Sequence, residues 1–305
     1  MKDKYPLVSI VIPTYKRPDT LARAIKSVLS QTYKNIEILV VDDNNPNTED
    51  RRLTHCVMDE FVDEFRIKYL EHPYNKNGSA ARNTGANNAN GEYVAFLDDD
   101  DEFLPEKIKS QVERMEMLDD TYGCCYSKYI CKRNGELVSE GTENREGRLL
   151  LDALMRNLNI AAGSNLLIRK DVFVEIGGFD ESFKRNQDLE ILVKILRIRK
   201  IAYTDVLGLI VNAHEQSHSI DFDLVTEQYI KAFSGFINEL NYSDKNKLFR
   251  MMNLQRFRFK LRLQHDIIGC LKMIFGGELK PKDVLRYTCF LIKGVVTKKT
   301  NRFEL

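Results

Sequence analysis

The sequence predicts an α/β protein: a Rossmann-like, mostly parallel sheet flanked by helices, followed by a helical, basic carboxy-terminal region. Three observations lead there. Between Leu7 and Leu97, β-branched runs of strand length alternate with stretches of helical periodicity, the pattern of βαβ units. Three of those runs end in polar or acidic clusters, at the strand ends where open α/β sheets bind ligands. Past residue 222 the pattern turns helical, basic and aromatic, which divides the chain into a domain over 1–222 and a second region over 223–305.

Leu7-Val8-Ser9-Ile10-Val11-Ile12 is continuous and mostly β-branched, as a strand covered on both faces must be, and Pro13 ends it. Leu21, Ile25, Val28 and Leu29 then recur at helical spacing behind Asp19 or Thr20, either of which suits a helix cap. Ile36–Val41 is a second buried strand, stopped by Asp42-Asp43-Asn44-Asn45-Pro46. Ile67–Leu70 is a third, and Asn75-Lys76-Asn77-Gly78 opens a short helix over 79–89. Tyr93–Leu97 is a fourth strand and runs into four aspartates. Pro105 starts a helix with Ile108, Val112 and Met115 on one face. A helix over 147–158, a strand over 164–168, a turn at Gly177-Gly178-Phe179-Asp180, a helix over 189–196 and an extended segment over 201–211 complete the first domain.

The formal net charge of +1 is a cancellation. Residues 225–305 carry 16 basic and 7 acidic side chains, a net of +9, and residues 1–224 carry 30 and 38, a net of −8. Whole-chain neutrality argues against a protein built to neutralise phosphate backbones, so nucleic acid is not an expected partner. The six cysteines show no C-x-x-C pair and no zinc spacing, which reads as reduced thiols in a cytoplasmic setting. The amino-terminal apolar run, about six residues, is too short for a signal peptide. No stretch approaches the roughly 20 apolar residues of a membrane span.

Asp98-Asp99-Asp100-Asp101 behind a buried strand is costly without a counter-charge, because neighbouring carboxylates disfavour one another's ionisation. A hard divalent cation, Mg²⁺ or Mn²⁺, resolves that conflict; a solvated acidic loop ahead of Pro105 is the plainer alternative. Thr14-Tyr15 after the first strand suits stacking on a nucleobase, or an ordinary turn. Asp42-Asp43 could accept from a base or a ribose hydroxyl. Arg82, placed in the first turn of its helix, offers a donor fork, or is a surface arginine.

Pro13-Thr14-Tyr15, the segment from Ala24 to Tyr33, Val40-Val41-Asp42-Asp43, Ala81-Arg82-Asn83-Thr84-Gly85, the run from Gly91 to Asp101 and Gly177-Gly178-Phe179-Asp180-Glu181 together closely resemble family-2 glycosyltransferases of the GT-A fold. The likeness covers roughly residues 5–220. It implies a metal-dependent, inverting transfer of a sugar from a nucleotide diphosphate, usually of uridine. It also implies that Pro13, Thr14, Tyr15, Arg17, Asp42, Asp43 and Arg82 hold the nucleotide, with Asp98 or Asp99 at the ribose. Asp100 takes the metal in the D-x-D position, with Asp98 and His214 beside it. Asp188 occupies the catalytic base position, where a helix cap is the alternative role. Three departures stand out: Gln187 replaces an acidic residue, Asn44-Asn45-Pro46 replaces a small turn, and no tryptophan is present. The missing tryptophan removes the Q-x-x-R-W motif of processive relatives, so a single-sugar transfer is expected.

The implied acceptor is a glycan or lipid-linked hydroxyl in bacterial surface polysaccharide synthesis. Val284–Val296 is apolar but interrupted by Arg286 and Lys293. That suits a peripheral contact at the inner face of the cell membrane, a homodimer contact, or packing on the rest of the chain. A catalytically silent sugar-nucleotide-binding or scaffold protein is the competing reading; retention of the aspartates and Asp188 speaks against it.

Overall fold

A computed structural model describes residues 5–183, 185–213, 222–300 and 302–305. His214, a candidate metal ligand from the sequence, lies outside the described residues. The chain forms two compact units, one of residues 1–149 and 159–213, the other of 150–158 and 214–305. A single cut after residue 222 does not capture this division, because 150–158 belongs with the carboxy-terminal helices.

In the first unit β1 (Val8–Thr14), α1 (Pro18–Leu29), β2 (Ile36–Asp42), α2 (Glu49–Asp59), β3 (Ile67–Glu71), α3 (Gly78–Asn87) and β4 (Tyr93–Phe96) follow one another as βαβ units. β1 pairs in parallel with β2 and β4, and β2 in parallel with β3. The register sets Thr14 beside Asp42 and Val11 beside Phe96. The three chemistry-bearing strand ends therefore open at one edge of the sheet. β5 (Glu102–Phe103), α4 (Lys107–Glu116), β6 (Tyr122–Arg133) and β7 (Glu136–Gly141) come next; α5 (Leu150–Leu154) belongs to the second unit. The first unit then resumes with α6 (Ala162–Asn165), β8 (Leu167–Arg169), α7 (Lys170–Glu175), α8 (Gln187–Ile198) and β9 (Lys200–Asn212). β8 lies antiparallel to both β4 and β6, while β9 runs parallel to β6 and antiparallel to β5. Ile10, Ile12, Ile38 and Val40 pack with Leu21, Ile25 and Val28 of α1 and Ile108 and Val112 of α4, all buried.

Several elements differ from the sequence expectation. α1 begins at Pro18, which needs no N–H partner there, and Asp19 sits in its first turn rather than capping it. Only Arg51 and Thr54 of α2 are buried, so its apolar period is too faint to read. The β6–β7 hairpin turns at Asn134-Gly135, with φ of 50° and 83°; Asn-Gly is the residue pair such turns require. The helix expected over 147–158 shrinks to Leu150–Leu154, and 164–168 begins with a helical turn before the strand.

The second unit contains α5, α9 (Phe222–Ala232), α10 (Ser234–Glu239), α11 (Tyr242–Arg262), α12 (Ile267–Phe275) and α13 (Pro281–Thr297). The Tyr229 hydroxyl donates to the Ala153 carbonyl at 3.1 Å and Gln255 to that of Met155 at 2.8 Å. Asn157 exchanges two hydrogen bonds with the Phe303 backbone, at 2.8 and 2.9 Å. Among the described residues no helix is long and apolar enough to cross a membrane.

Candidate active site

At the carboxyl ends of the parallel strands lies a cavity of about 430 Å³. It is lined by Pro13 and Thr14 at the end of β1, by Tyr15 and Arg17 just after it, by Asp43 after β2, and by Gly78 and Arg82 of α3. Thr14 is buried and Tyr15 stands 39% exposed at the opening. Asp43 shapes the rim. Its carboxylate accepts from His72 at 2.7 Å and from the backbone N–H groups of Lys76 and Asn77 at 2.8 and 2.9 Å, which folds the Asn75–Gly78 loop over the strand end. Asn77 then caps α3, accepting from the N–H groups of Ser79 and Ala80 at 2.9 and 3.2 Å.

Asp42 is placed differently from its neighbour. It is fully buried, paired with Arg51 at 3.0 Å, and accepts from the Tyr69 hydroxyl at 2.6 Å. Its side chain joins β2, β3 and α2 and does not line the cavity, as alternation along a strand dictates for neighbouring residues. Of the acidic pair that the sequence offers for the nucleotide, Asp43 lines the cavity and Asp42 does not. His72 and Arg51 went unread in the sequence because their partners lie in other elements.

The aspartate run divides its labour. Asp99 faces β1, accepting from the Tyr15 N–H and from Arg17, both at 3.3 Å. Burial pushes its carboxyl up to about 7, opposed by the Thr14 hydroxyl and the Arg17 charge. Asp98, Asp100 and Asp101 each present an oxygen, and these atoms lie within 4.8 Å of one another. Hard oxygen donors so grouped fit a divalent cation. Asp101, the fourth aspartate, thus joins a cluster for which the sequence pointed to Asp98, Asp100 and His214. Arg17 also pairs with Asp100, and Arg82 with Asp98. Ser164 of α6 ties the cluster together, accepting from the Asp98 N–H at 3.1 Å and donating to Asp101 at 2.7 Å. The next residue, Asn165, accepts from the buried Lys107 side chain at 2.8 Å.

A second cavity, of about 360 Å³, also borders Asp98 and is lined by Asp188, Gly163 and Asp101. Arg82, Asp98 and Gln187 border both cavities. A Cβ on Gly163 would stand 3.4 Å from an Asp98 carboxylate oxygen and 3.7 Å from the Asp188 Cβ, so the glycine leaves room beside both residues. Asp188 is the second residue of α8 and Asn186 occupies the cap position, so the helix-cap role falls away for Asp188. Burial pushes its carboxyl above the ordinary range; the Leu189 N–H opposes this, Asp98 adds to it and Arg82 counters it. Glu190 faces elsewhere, buried against Lys194 at 3.0 Å. The Gly177–Glu181 turn aims α8: Asn83 of α3 accepts from the Phe179 N–H and donates to the Phe179 carbonyl, each at 2.9 Å. Gly178, at φ 64°, is required there, because a Cβ would meet Asn83 at 2.7 Å. Gln187 accepts from Arg82 at 2.8 Å and donates to the Phe183 carbonyl at 3.0 Å, fixing its amide across the junction of the cavities.

Residues 9–177 match the family described as glycosyl transferase family 2. An uncharacterized glycosyltransferase of Rickettsia prowazekii is 34% identical over 242 residues, 77% of this chain and 73% of that protein. The matched region is only 35% of a longer relative from Rickettsia bellii. The Escherichia coli UDP-Glc:alpha-D-GlcNAc-diphosphoundecaprenol beta-1,3-glucosyltransferase WfgD is 30% identical over 213 residues, 70% of this chain and 78% of that one. Among solved structures, Staphylococcus aureus TarS in complex with UDP-GlcNAc superposes with a TM-score of 0.66 at 17% identity, over 84% of this chain and 76% of that one. Mannosyltransferase PcManGT from Pyrobaculum calidifontis, in complex with GDP-Man and Mn²⁺, gives 0.60 at 14%, over 97% and 81%. The parallel sheet with its strand-end aspartates is the GT-A fold, and with the family match over more than half its length this chain belongs to glycosyl transferase family 2.

Proposed function

We propose that the chain moves one sugar from a uridine diphosphate donor to a hydroxyl of a lipid-linked glycan in surface polysaccharide synthesis. The anomeric centre is inverted, and Asp98, Asp100 and Asp101 would hold Mn²⁺ or Mg²⁺. The observation that carries this reading is the wall common to both cavities, Arg82, Asp98 and Gln187. A nucleotide seated among Thr14, Tyr15, Asp43 and Asp99 brings its sugar to that wall, beside the cavity of Asp188. The acceptor oxygen bonds to the anomeric carbon while Asp188 takes its proton. The bond from that carbon to the diphosphate oxygen breaks in the same displacement, and the nucleoside diphosphate leaves with the electron pair. Arg17 and Arg82 bring positive charge toward that leaving group. The bound cation would supply the remaining neutralisation. WfgD, named for UDP-Glc and a diphosphoundecaprenol acceptor, and TarS with UDP-GlcNAc support the donor and acceptor classes. The Mn²⁺ in the mannosyltransferase complex supports the cation.

The test is calorimetric binding and turnover with a panel of UDP- and GDP-sugars. Asp188→Asn is expected to keep donor affinity and lose about 10²- to 10⁴-fold in turnover. Full turnover in that variant would remove the base assignment. Donor binding indifferent to both chelator and Asp100→Ala would remove the cation.

A further inference from the structure

The carboxy-terminal unit presents apolar surface that its own fold leaves uncovered. In α13, Leu285, Cys289, Ile292 and Val296 fall at i, i+4, i+7 and i+11, and all are exposed, so they form one stripe along the helix. The inward face is different: Tyr287 is buried, and Asp283 is buried against Arg250 at 2.7 Å. Lys282, Arg286 and Lys293 are exposed and fall together on one flank of the stripe. α12 repeats the design, with Ile267, Ile268, Leu271 and Phe275 exposed, Cys270 and Met273 buried, and Lys272 its one charged residue. Both helices pack on α11.

We propose that this face docks on the surface of an anionic lipid bilayer, with the α13 stripe in the interface and its cations against lipid headgroups. α13 has 17 residues and cations along its flank, which suits a helix lying on a membrane and not one crossing it. The net of +9 over residues 225–305 is complementary to anionic headgroups. A second copy is the rival occupant, since the same spacing is a coiled-coil seam. Two such helices would set Lys282, Arg286 and Lys293 against their own kind, and the only acid of α13, Asp283, is buried. The proposal does not depend on the reaction assigned above.

The experiment is sedimentation of the full chain with vesicles of phosphatidylglycerol and phosphatidylcholine, against phosphatidylcholine alone. Binding is expected on the anionic vesicles and should weaken as salt rises. Lys282→Gln, Arg286→Gln and Lys293→Gln together are expected to weaken it about a hundredfold. Leu285→Ser, Ile292→Ser and Val296→Ser together are expected to do at least as much with an unchanged circular dichroism spectrum. As a second reading, an environment-sensitive dye on exposed Cys289, in a Cys56→Ser background, should shift to the blue on vesicle addition. No binding by the unaltered chain, binding indifferent to either set of substitutions, or an unshifted dye would overturn the proposal. So would a dimer in sedimentation velocity that the serine substitutions abolish, because it assigns the face to a second copy.

Discussion

Asp188 lies half-buried beside Gly163, as Asp98 does, and burial displaces its carboxyl upward. A folded-state pKa above the unfolded value means that ionisation opposes folding: the penalty is full above the folded pKa and absent below the unfolded one. Asp188→Asn is therefore expected to melt higher than the natural chain at pH 8, with the difference vanishing as pH falls to about 4. A melting difference independent of pH would contradict this. In the base role proposed for Asp188, the same burial that costs stability would also help the carboxylate accept a proton. Asp188 and the aspartate run were legible as residue types at strand and helix ends. That Asp42 turns away from the cavity while Asp43 rims it was not, since their partners Tyr69, Arg51 and His72 belong to other elements.

α3 holds the site together as an element. Asn77 caps it from a φ of 95° and also donates to the Glu181 carbonyl at 3.1 Å, while Arg82, one turn on, reaches Asp98 and Gln187. Asn77→Ala is expected to lower stability by about 1–2 kcal/mol, from the lost cap and a strained backbone. It should weaken donor binding as well, through the displaced helix start. Asn77→Gly, which accepts positive φ, should recover part of the stability. Denaturant titration of both variants checks this, and equal losses would show that backbone strain plays no part. The parallel strands and α1 were readable because buried strands are continuously apolar and α1 keeps a sharp period. α2 and the β6–β7 hairpin were not: α2 buries little, and the one signal of the hairpin, Asn134-Gly135, sits between strands of mixed polarity.

Across the whole molecule, the division into units runs through the chain twice. Residues 150–158 leave the first unit, and their buried Ala153, Leu154 and Leu158 belong to the helical second one. A fragment ending at residue 213 strands that segment without Tyr229, Gln255 and Phe303, its hydrogen-bonding partners. The fragment is expected to elute as aggregates on size exclusion and to bind a hydrophobic dye more strongly than the full chain. A monodisperse fragment of ordinary dye binding would show that the segment folds without the second unit. The charge division follows similar lines, an acidic site-bearing part and a basic helical part that sum to near zero.

By itself the sequence determined the parallel sheet, the strand-end placement of its carboxylates and the family, because those depend on local apolar period and on motifs contiguous in the chain. Tertiary structure alone decided which carboxylates group. Asp101 joins the carboxylate cluster through Ser164 and Asn212, Asp42 turns to Arg51 and Tyr69, and Asp98 and Asp188 both lie beside Gly163. It also decided that α13 turns its apolar stripe outward. Each of these outcomes depends on contacts between residues far apart in the chain, and no local pattern encodes which distant side chain will supply a partner or cover a face.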